Sequence, residues 1–372
     1  MLAFILGRSA YLSLAELSHK LDSEKVIEVN SQFVLTGQEI PEPQAFLNHL
    51  GGTKKIVEVG IQETDIIKML SKTSANKIAF GFSFYGVDKK TQNQWEKKGL
   101  EIKKQLKRAG RSARFVSHRE AEMSAVMIRR EHAQDIVILP GQIGRTVACQ
   151  DFHAYAKRDY EKPVRDMKIG MLPPKLAQIM LNIADLKAGQ MVYDPFCGLG
   201  SIPMEALLMN INVIASDINE EMVTATKQNI ASLGGIAAKW EAEVNDATKN
   251  KRDDFAAIVT EGYLGPHFDR YPTEEEIGRW EKEIASLYLG FFQNISTTKP
   301  IIICLPLLKK GENYRAVPQL KEKIMDLGYQ LLPNPQKDWT NKTDLLKLGS
   351  PSMIYGRVDQ IIAREICKWQ RI

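Results

Sequence analysis

The chain has 372 residues, 44% hydrophobic and 26% charged, with a formal net charge of +5 at pH 7. This is an ordinary globular composition, and the length suits two domains that each bury a core. No apolar run reaches the roughly 20 residues of a membrane span, the opening MLAFILGRSAYL lacks the basic stretch of a secretory signal, and Cys149, Cys197, Cys304 and Cys367 form no C-x-x-C pair. Neither a disulfide framework nor a metal site is expected, and a reducing cytoplasm fits best.

Residues 1–150 alternate apolar strands (MLAFIL, QFVLTG, KIVEVG, KIAFGFSF, DIVILPG) with helical stretches (SLAELSHKL, PEPQAFLNHL, ETDIIKMLSK). They predict an α/β or α+β domain. Between Glu96 and Arg130, eleven Lys or Arg, Arg119 among them, stand against four Glu. Here Trp95, Ile102, Leu106, Ala109 and Ala113 recur at helical spacing on one side and Lys103, Lys107, Arg111 and Arg114 on another, predicting a helix with a basic face. Such a face is either simply solvated or in contact with phosphates. The charge-dense residues 151–172 read as the interdomain connection, and a second domain runs over 173–372.

That second domain opens on Pro173-Pro174, a favoured helix start, and the helix carries Leu176, Ile179, Met180 and Ile183 at 3–4 spacing. The strand end VYD then runs into Asp194-Pro195-Phe196-Cys197-Gly198-Leu199-Gly200-Ser201 and a new helix. Two glycines without a Cβ let the turn take positive φ and approach a ligand, while the helix start offers free N–H groups. The spacing is neither a dinucleotide G-x-G-x-x-G nor a P-loop. A nucleotide-like cofactor is expected here, with Asp194 suited to an ammonium. Asp217 ends the next strand about twenty residues on, where nucleotide folds place an acid on ribose hydroxyls. Asp246 follows the third strand and Thr260-Glu261-Gly262-Tyr263 the fourth. Cys197 reads as a small apolar filler. Strands alternating with helices to the end of the chain predict a doubly wound, mostly parallel sheet with an antiparallel closing pair.

The D-P-F-C-G-x-G turn with Asp217 and Asp246 in register resembles the class I S-adenosylmethionine-dependent methyltransferases, whose sheet has seven strands. The run TVACQDFHAYAKRDYEKPVRDMKIGMLPPKLAQIMLNIA and the closing YGRVDQIIAREI resemble the THUMP-containing tRNA guanosine N2-methyltransferases of the Trm11/Trm-G10 group. The resemblance implies S-adenosyl-L-methionine as cofactor, with Asp194, Pro195, Phe196, Cys197, Gly198 and Gly200 around the methionine moiety. It also implies Asp217 and Ile218 at the ribose end, Asp246 and Ala247 at the adenine, and Pro173 closing the pocket. It makes residues 1–150 a THUMP-like RNA-binding region, with Lys103, Lys107, Arg111 and Arg114 on tRNA.

Relatives of that class place the amine in a D-P-P-Y or N-P-P-Y loop. Here both prolines are missing. Counting back from Tyr263 puts Thr260 in the acceptor slot, a one-residue slip puts Glu261 there, and Tyr263 would stack on an extruded base. The expected activity is methylation of an exocyclic amine in RNA, tRNA guanosine N2 first. A DNA adenine-N6 or cytosine-N4 methyltransferase and a catalytically silent RNA-binding paralogue are the alternatives. The expected form is a monomer or weak dimer, with a small activating subunit left open.

Overall fold

The computed structural model describes residues 1–118, 120–166, 171–333, 353–357 and 360–372. Arg119 of the basic stretch, residues 167–170 of the connection, and Val358 and Asp359 of the closing stretch lie outside them. The chain forms two compact units, Met1–Ala10 with Leu21–His153, and Tyr11–Lys20 with Ala154–Ile372.

Up to residue 149 the elements are β1 (Leu2–Leu6), α1 (Ala10–Leu17), β2 (Val26–Val29), β3 (Phe33–Thr36), α2 (Pro43–Asn48), β4 (Thr53–Val59), α3 (Ile66–Ser71), β5 (Lys77–Phe84), α4 (Lys89–Arg108), β6 (Ser112–Phe115), α5 (Ala125–Glu131), β7 (Gln134–Leu139) and β8 (Gln142–Cys149), all but α1 in the first unit. Eight strands make one sheet in the order β2-β3-β1-β4-β8-β7-β5-β6. Only the pairs of β5 with β6 and β7 are parallel. Period-2 alternation on β5 sends Ile78, Phe80, Phe82 and Phe84 into one cluster with Trp95, Ile102 and Leu106 of α4.

The basic helix is shorter than its spacing predicts. Gly110 takes φ +75°, its N–H and that of Arg111 fold back onto the carbonyls of Lys107 and Leu106, and the helix stops at Arg108. Arg111 therefore lies beyond it and Arg114 sits on β6, so neither shares a helix face with Lys103 and Lys107.

The second unit continues with α6 (Phe152–Asp159), α7 (Pro174–Ile183), β9 (Met191–Asp194), α8 (Ser201–Leu208), β10 (Asn212–Asp217), α9 (Glu220–Ala231), β11 (Trp240–Val244), β12 (Ala257–Thr260), α10 (Glu274–Ile295), β13 (Ile301–Lys310), β14 (Asn313–Ala316), α11 (Leu320–Asp326), β15 (Tyr329–Leu332), β16 (Ile354–Tyr355) and β17 (Ile362–Arg371). The sheet runs β11-β10-β9-β12-β13-β17-β15, with β14 and β16 added on β13 and β17. Strands β9 to β13 are parallel, and β17 is antiparallel to both its neighbours β13 and β15. Helices α7 and α8 bury one face of the sheet and α10 the other, the latter through Ile277, Trp280, Ile284, Tyr288, Phe291 and Ile295 at 3–4 spacing. The strand order reverses at β9 and β12, which opens a crevice at their carboxyl ends.

Two expectations about the layout need correction. Residues 11–20 cluster with the second unit and not with the rest of 1–150: Leu12 and Ala15 enter the α7 core, and Asn182 donates from Nδ2 to Glu16 Oε1 at 2.7 Å. Most of the described part of the 151–172 connection folds into the second unit, with Tyr155 donating to Gln178 Oε1 at 2.6 Å and Arg158 paired with Glu205 at 2.5 Å. Three aromatic residues in this stretch (Phe152, Tyr155, Tyr160) were the sequence signal for that order.

Candidate functional site

At the β9–β12 crevice a cavity is lined by Met171, Leu172, Asp194, Phe196, Cys197, Gly198, Leu199, Ser201, Ile202, Met222 and Glu261. Asp194 is 1% exposed. Its Oδ1 accepts from the Thr260 hydroxyl at 2.6 Å and from the Phe196 N–H at 3.3 Å, and no cationic side chain of the described residues bonds it. Burial pushes its carboxyl up to about 7 against the pull of those hydrogen bonds. A buried carboxylate facing a cavity without a counter-cation suits a ligand that brings one.

The glycine turn is held by side chains from α9 and β10. Gly198 and Gly200 take φ +49° and +79°, conformations costly for other residues. A Cβ on Gly198 would meet nothing within 4 Å, whereas one on Gly200 would press on Thr226, whose hydroxyl donates to the Gly198 carbonyl at 2.8 Å. Cys197 is buried, and its Sγ accepts from Thr226 at 3.6 Å. Burial pushes its thiol pKa up, so it serves as filler and not as a nucleophile. Pro195 is buried within the turn and Pro173 at the N-cap of α7 beside the lining residue Leu172.

Asp217 ends β10 and braces the turn, Oδ2 accepting from the Gly198 N–H and Oδ1 from the Asn219 N–H, each at 3.0 Å. Its carboxyl is raised mainly by burial. The neighbouring Ile218 is 70% exposed, an apolar face open at the strand end. Asp246 is engaged locally by Thr248 (2.6 Å) and Lys249 (2.8 Å), which hold its carboxyl down at about 2. The side chain of Ala247 belongs to the α10 core, where it does not line the cavity.

Of Thr260 and Glu261, the two residues expected in the acceptor slot, only Glu261 lines the cavity. Thr260 is fully buried and is not among the residues lining the cavity, and its hydroxyl donates to Asp194. Glu261 lines the cavity, and its Oε1 accepts from Arg364 Nε, a 1%-exposed arginine on β17. The missing proline has a cause: Gly262 takes φ +73°, which proline cannot adopt, and a Cβ there would collide with the Tyr288 hydroxyl. Tyr288 bonds the Tyr263 carbonyl at 3.1 Å and Trp280 Nε1 donates to the Leu264 carbonyl at 3.0 Å, so the loop is anchored on α10. Tyr263 itself is 38% exposed outside the cavity lining. Asp269 and Arg270 lie on the exposed loop beyond, Arg270 paired with Glu276 at 2.9 Å.

Arg364 and Lys162 were the residues missed. Arg364 stands in the closing stretch without a motif around it, and Lys162 in the connection. Lys162 is 5% exposed and donates to Ser201 Oγ at 3.3 Å. In the first unit, Arg111 donates to the carbonyls of Ser71, Thr73 and Ala75 (2.8–3.2 Å) and Arg114 pairs with Glu131 at 2.6 Å. Lys107 is exposed and Lys103 half-buried, and neither forms an ion pair with a described residue.

Residues 163–279 match the family model of the RMKL-like methyltransferase domain. The tRNA (guanine(10)-N2)-dimethyltransferase of Methanothermobacter thermautotrophicus is 40% identical over 97 residues, 26% of this chain and 28% of that protein. The enzyme of the same name from Methanocaldococcus jannaschii is 43% identical over 178 residues, 45% of this chain and 39% of that one. The chain thus matches about a third of the length of these curated relatives. TrmN from Thermus thermophilus superposes with a TM-score of 0.53 at 15% identity, over 100% of this chain and 99% of that one. Among the described residues no helix is long and apolar enough to cross a membrane. The matched stretch, residues 163–279, holds the glycine turn between β9 and α8 and the acid ending β10, and these are the parts of the second unit that are similar to the RMKL-like methyltransferase domain.

Proposed function

We propose that this chain methylates the exocyclic N2 of guanine in tRNA. The observation that carries the proposal is Glu261, a carboxylate on the cavity wall with one oxygen held by buried Arg364. An ionised carboxylate accepts and does not donate, so it favours an amino group over a carbonyl or an alkylated oxygen. Asp194 would take the ammonium of S-adenosylmethionine, the Gly198–Gly200 turn its methionine chain, Asp217 the ribose hydroxyls and Ile218 a face of the adenine. The cofactor, when bound, supplies an electrophilic methyl on its sulfonium. Glu261 orients the amine by accepting one of its hydrogens, and the anchored loop keeps that acceptor in place, the kind of positioning that removes several kcal/mol from a barrier.

Tyr263, half exposed on the same loop, is the aromatic available to stack on an extruded base. The first unit, THUMP-like by resemblance, would grip tRNA with Lys103 and Lys107 among its contacts. The names of the curated relatives support the substrate class. We take the working form to be a monomer or weak dimer in the cytoplasm.

The test is methyl transfer from labelled cofactor to bulk tRNA and to duplex DNA, followed by nucleoside analysis. Label in N2-methylated guanosine is expected. Label in N6-methyladenine or N4-methylcytosine of DNA would move the chain to the DNA enzymes, and label in neither would make it a silent paralogue.

A further inference from the structure

The sheet of the second unit does not stop at its carboxyl edge. Thr260, which ends β12, is level with Ile303, and β13 continues from Cys304 to Lys310, a reach of roughly 20 Å past the level of Glu261. One edge of β13 is taken by β17 over residues 301–308, so β14, which pairs with residues 307–310, takes the other, the edge that β12 holds lower down. The β13–β14 hairpin therefore stands in file above β12 and the loop that carries Glu261. Two contacts fix it there. Arg315 of β14 pairs with Glu274 and Glu281 of α10 at 2.8 and 3.0 Å, and the Lys310 ammonium lies 5.0 Å from the centroid of the Tyr271 ring, on the loop after β12.

The top of this hairpin is cationic. Lys309 Nζ donates to the Arg357 carbonyl at 2.7 Å, which ties the hairpin to the turn after β16 and leaves the ammonium charge in place. Lys310 and Arg357 are exposed, and among the described residues no carboxylate stands within ion-pair distance of Lys309, Lys310 or Arg357. Asp159 acts on Arg357 from farther off, and Glu312 in the hairpin turn is the other opposing charge. Arg357 also has Tyr355 beside it, and Tyr355 is opposite Arg364, the residue that holds Glu261. Tyr314, opposite Lys309 in the hairpin, is 44% exposed. Strand alternation puts Lys310 on one face of the tip and Lys309 with Tyr314 on the other, so both faces carry a cation. Cations interleaved with exposed aromatics suit a nucleic-acid backbone and its unpaired bases.

Resting on the RNA reading above, we propose that the β13–β14 hairpin, with the turn after β16, is an RNA-binding element of the second unit itself, holding phosphates that flank the methylated guanine on Lys309, Lys310 and Arg357 and an adjacent base on Tyr314. An extruded base brings its backbone to the mouth of the crevice, where the cavity wall offers the acids Asp194 and Glu261. The hairpin supplies the cations that this backbone needs. Phosphate contacts position a strand without choosing a base, so the hairpin sets how the RNA lies over Glu261 and leaves the choice of amine to the cavity.

The test is binding of bulk tRNA to the full chain at several salt concentrations, with S-adenosylmethionine affinity and thermal melting measured on the same proteins. Lys310→Gln with Arg357→Gln should weaken tRNA binding roughly tenfold at low salt and reduce the salt slope by about two, while cofactor affinity and melting stay at wild-type values. Tyr314→Ala should weaken binding without changing the slope, because stacking releases no counterions. Glu312→Gln should tighten binding. Lys187→Gln removes an exposed cation before β9, at the opposite edge of the sheet, and should leave both affinity and slope near wild type. A slope unchanged in the double variant, or lowered as much by Lys187→Gln as by Lys310→Gln, overturns the proposal. A wild-type chain that binds no tRNA overturns the substrate reading, and this inference with it.

Discussion

Asp194 is the residue whose chemistry depends most on its surroundings. Its carboxyl, ordinarily at 3.8, is held near 7 by burial, so the unliganded fold keeps a proton that the unfolded chain releases. Stability of the free protein therefore falls as pH rises from about 4 to about 7. Affinity for a cationic ligand moves the opposite way, since only the ionised carboxylate attracts an ammonium. Cofactor affinity should climb between about pH 6 and 8 in wild type and lose that component in Asp194→Asn, as read by calorimetry at several pH values. Arg364 sets a second test. Removing one partner of a buried pair strands the other, at a cost of about 3 kcal/mol or more. Arg364→Met should show that loss in chemical denaturation and abolish most methyl transfer while cofactor affinity stays near wild type, with Arg364→Lys intermediate. Full turnover in Arg364→Met would detach the arginine from the acceptor.

Among the elements, the loop after β12 and the helix α4 depart most from what local pattern suggests. A glycine in place of proline would ordinarily loosen a loop, but Gly262 fits a positive φ under the Tyr288 hydroxyl, and Tyr288 and Trp280 tie the following carbonyls. Gly262→Ala should destabilise by more than about 1 kcal/mol in denaturant melts, because the new Cβ meets both strain and a collision. In α4 and the turn after it the basic residues divide by role. Arg111 clamps three backbone carbonyls, so Arg111→Ala should lower the melting temperature of the first unit. Lys103→Ala with Lys107→Ala should leave melting unchanged, weaken tRNA binding and reduce its salt slope by about two. An unaltered slope would return both lysines to solvent.

On the scale of the whole molecule, the chain passes between its two units three times, at residues 10/11, 20/21 and 153/154. The second unit borrows Leu12, Ala15 and Glu16 from the beginning of the chain. A fragment of residues 154–372 lacks those side chains, and each lost core contact of this kind leaves a void costing on the order of 2–5 kcal/mol for a leucine-sized group. The fragment should melt well below the full chain, and a peptide spanning residues 8–22 should restore part of the difference. A fragment that melts like the full protein would show α1 to be dispensable for that core.

What the sequence by itself determined is the part that rests on neighbours in the chain: the strand, glycine turn and helix at 191–208, the acids ending successive strands, and the alternation that makes a doubly wound sheet. Turn chemistry and hydrophobic period act over a few residues and can be read directly. What only the tertiary structure decided is which charges meet. Arg364 reaches Glu261 across 103 residues because β17 inserts beside β13, one strand from β12, and Thr260 donates to Asp194, 66 residues away. The end of α4 at Arg108 and the return of α1 to the second unit belong to the same class, the first because a left-handed glycine outweighed an apparent helical spacing. No local pattern encodes strand order or the burial of a charge, since both depend on every other element having found its place.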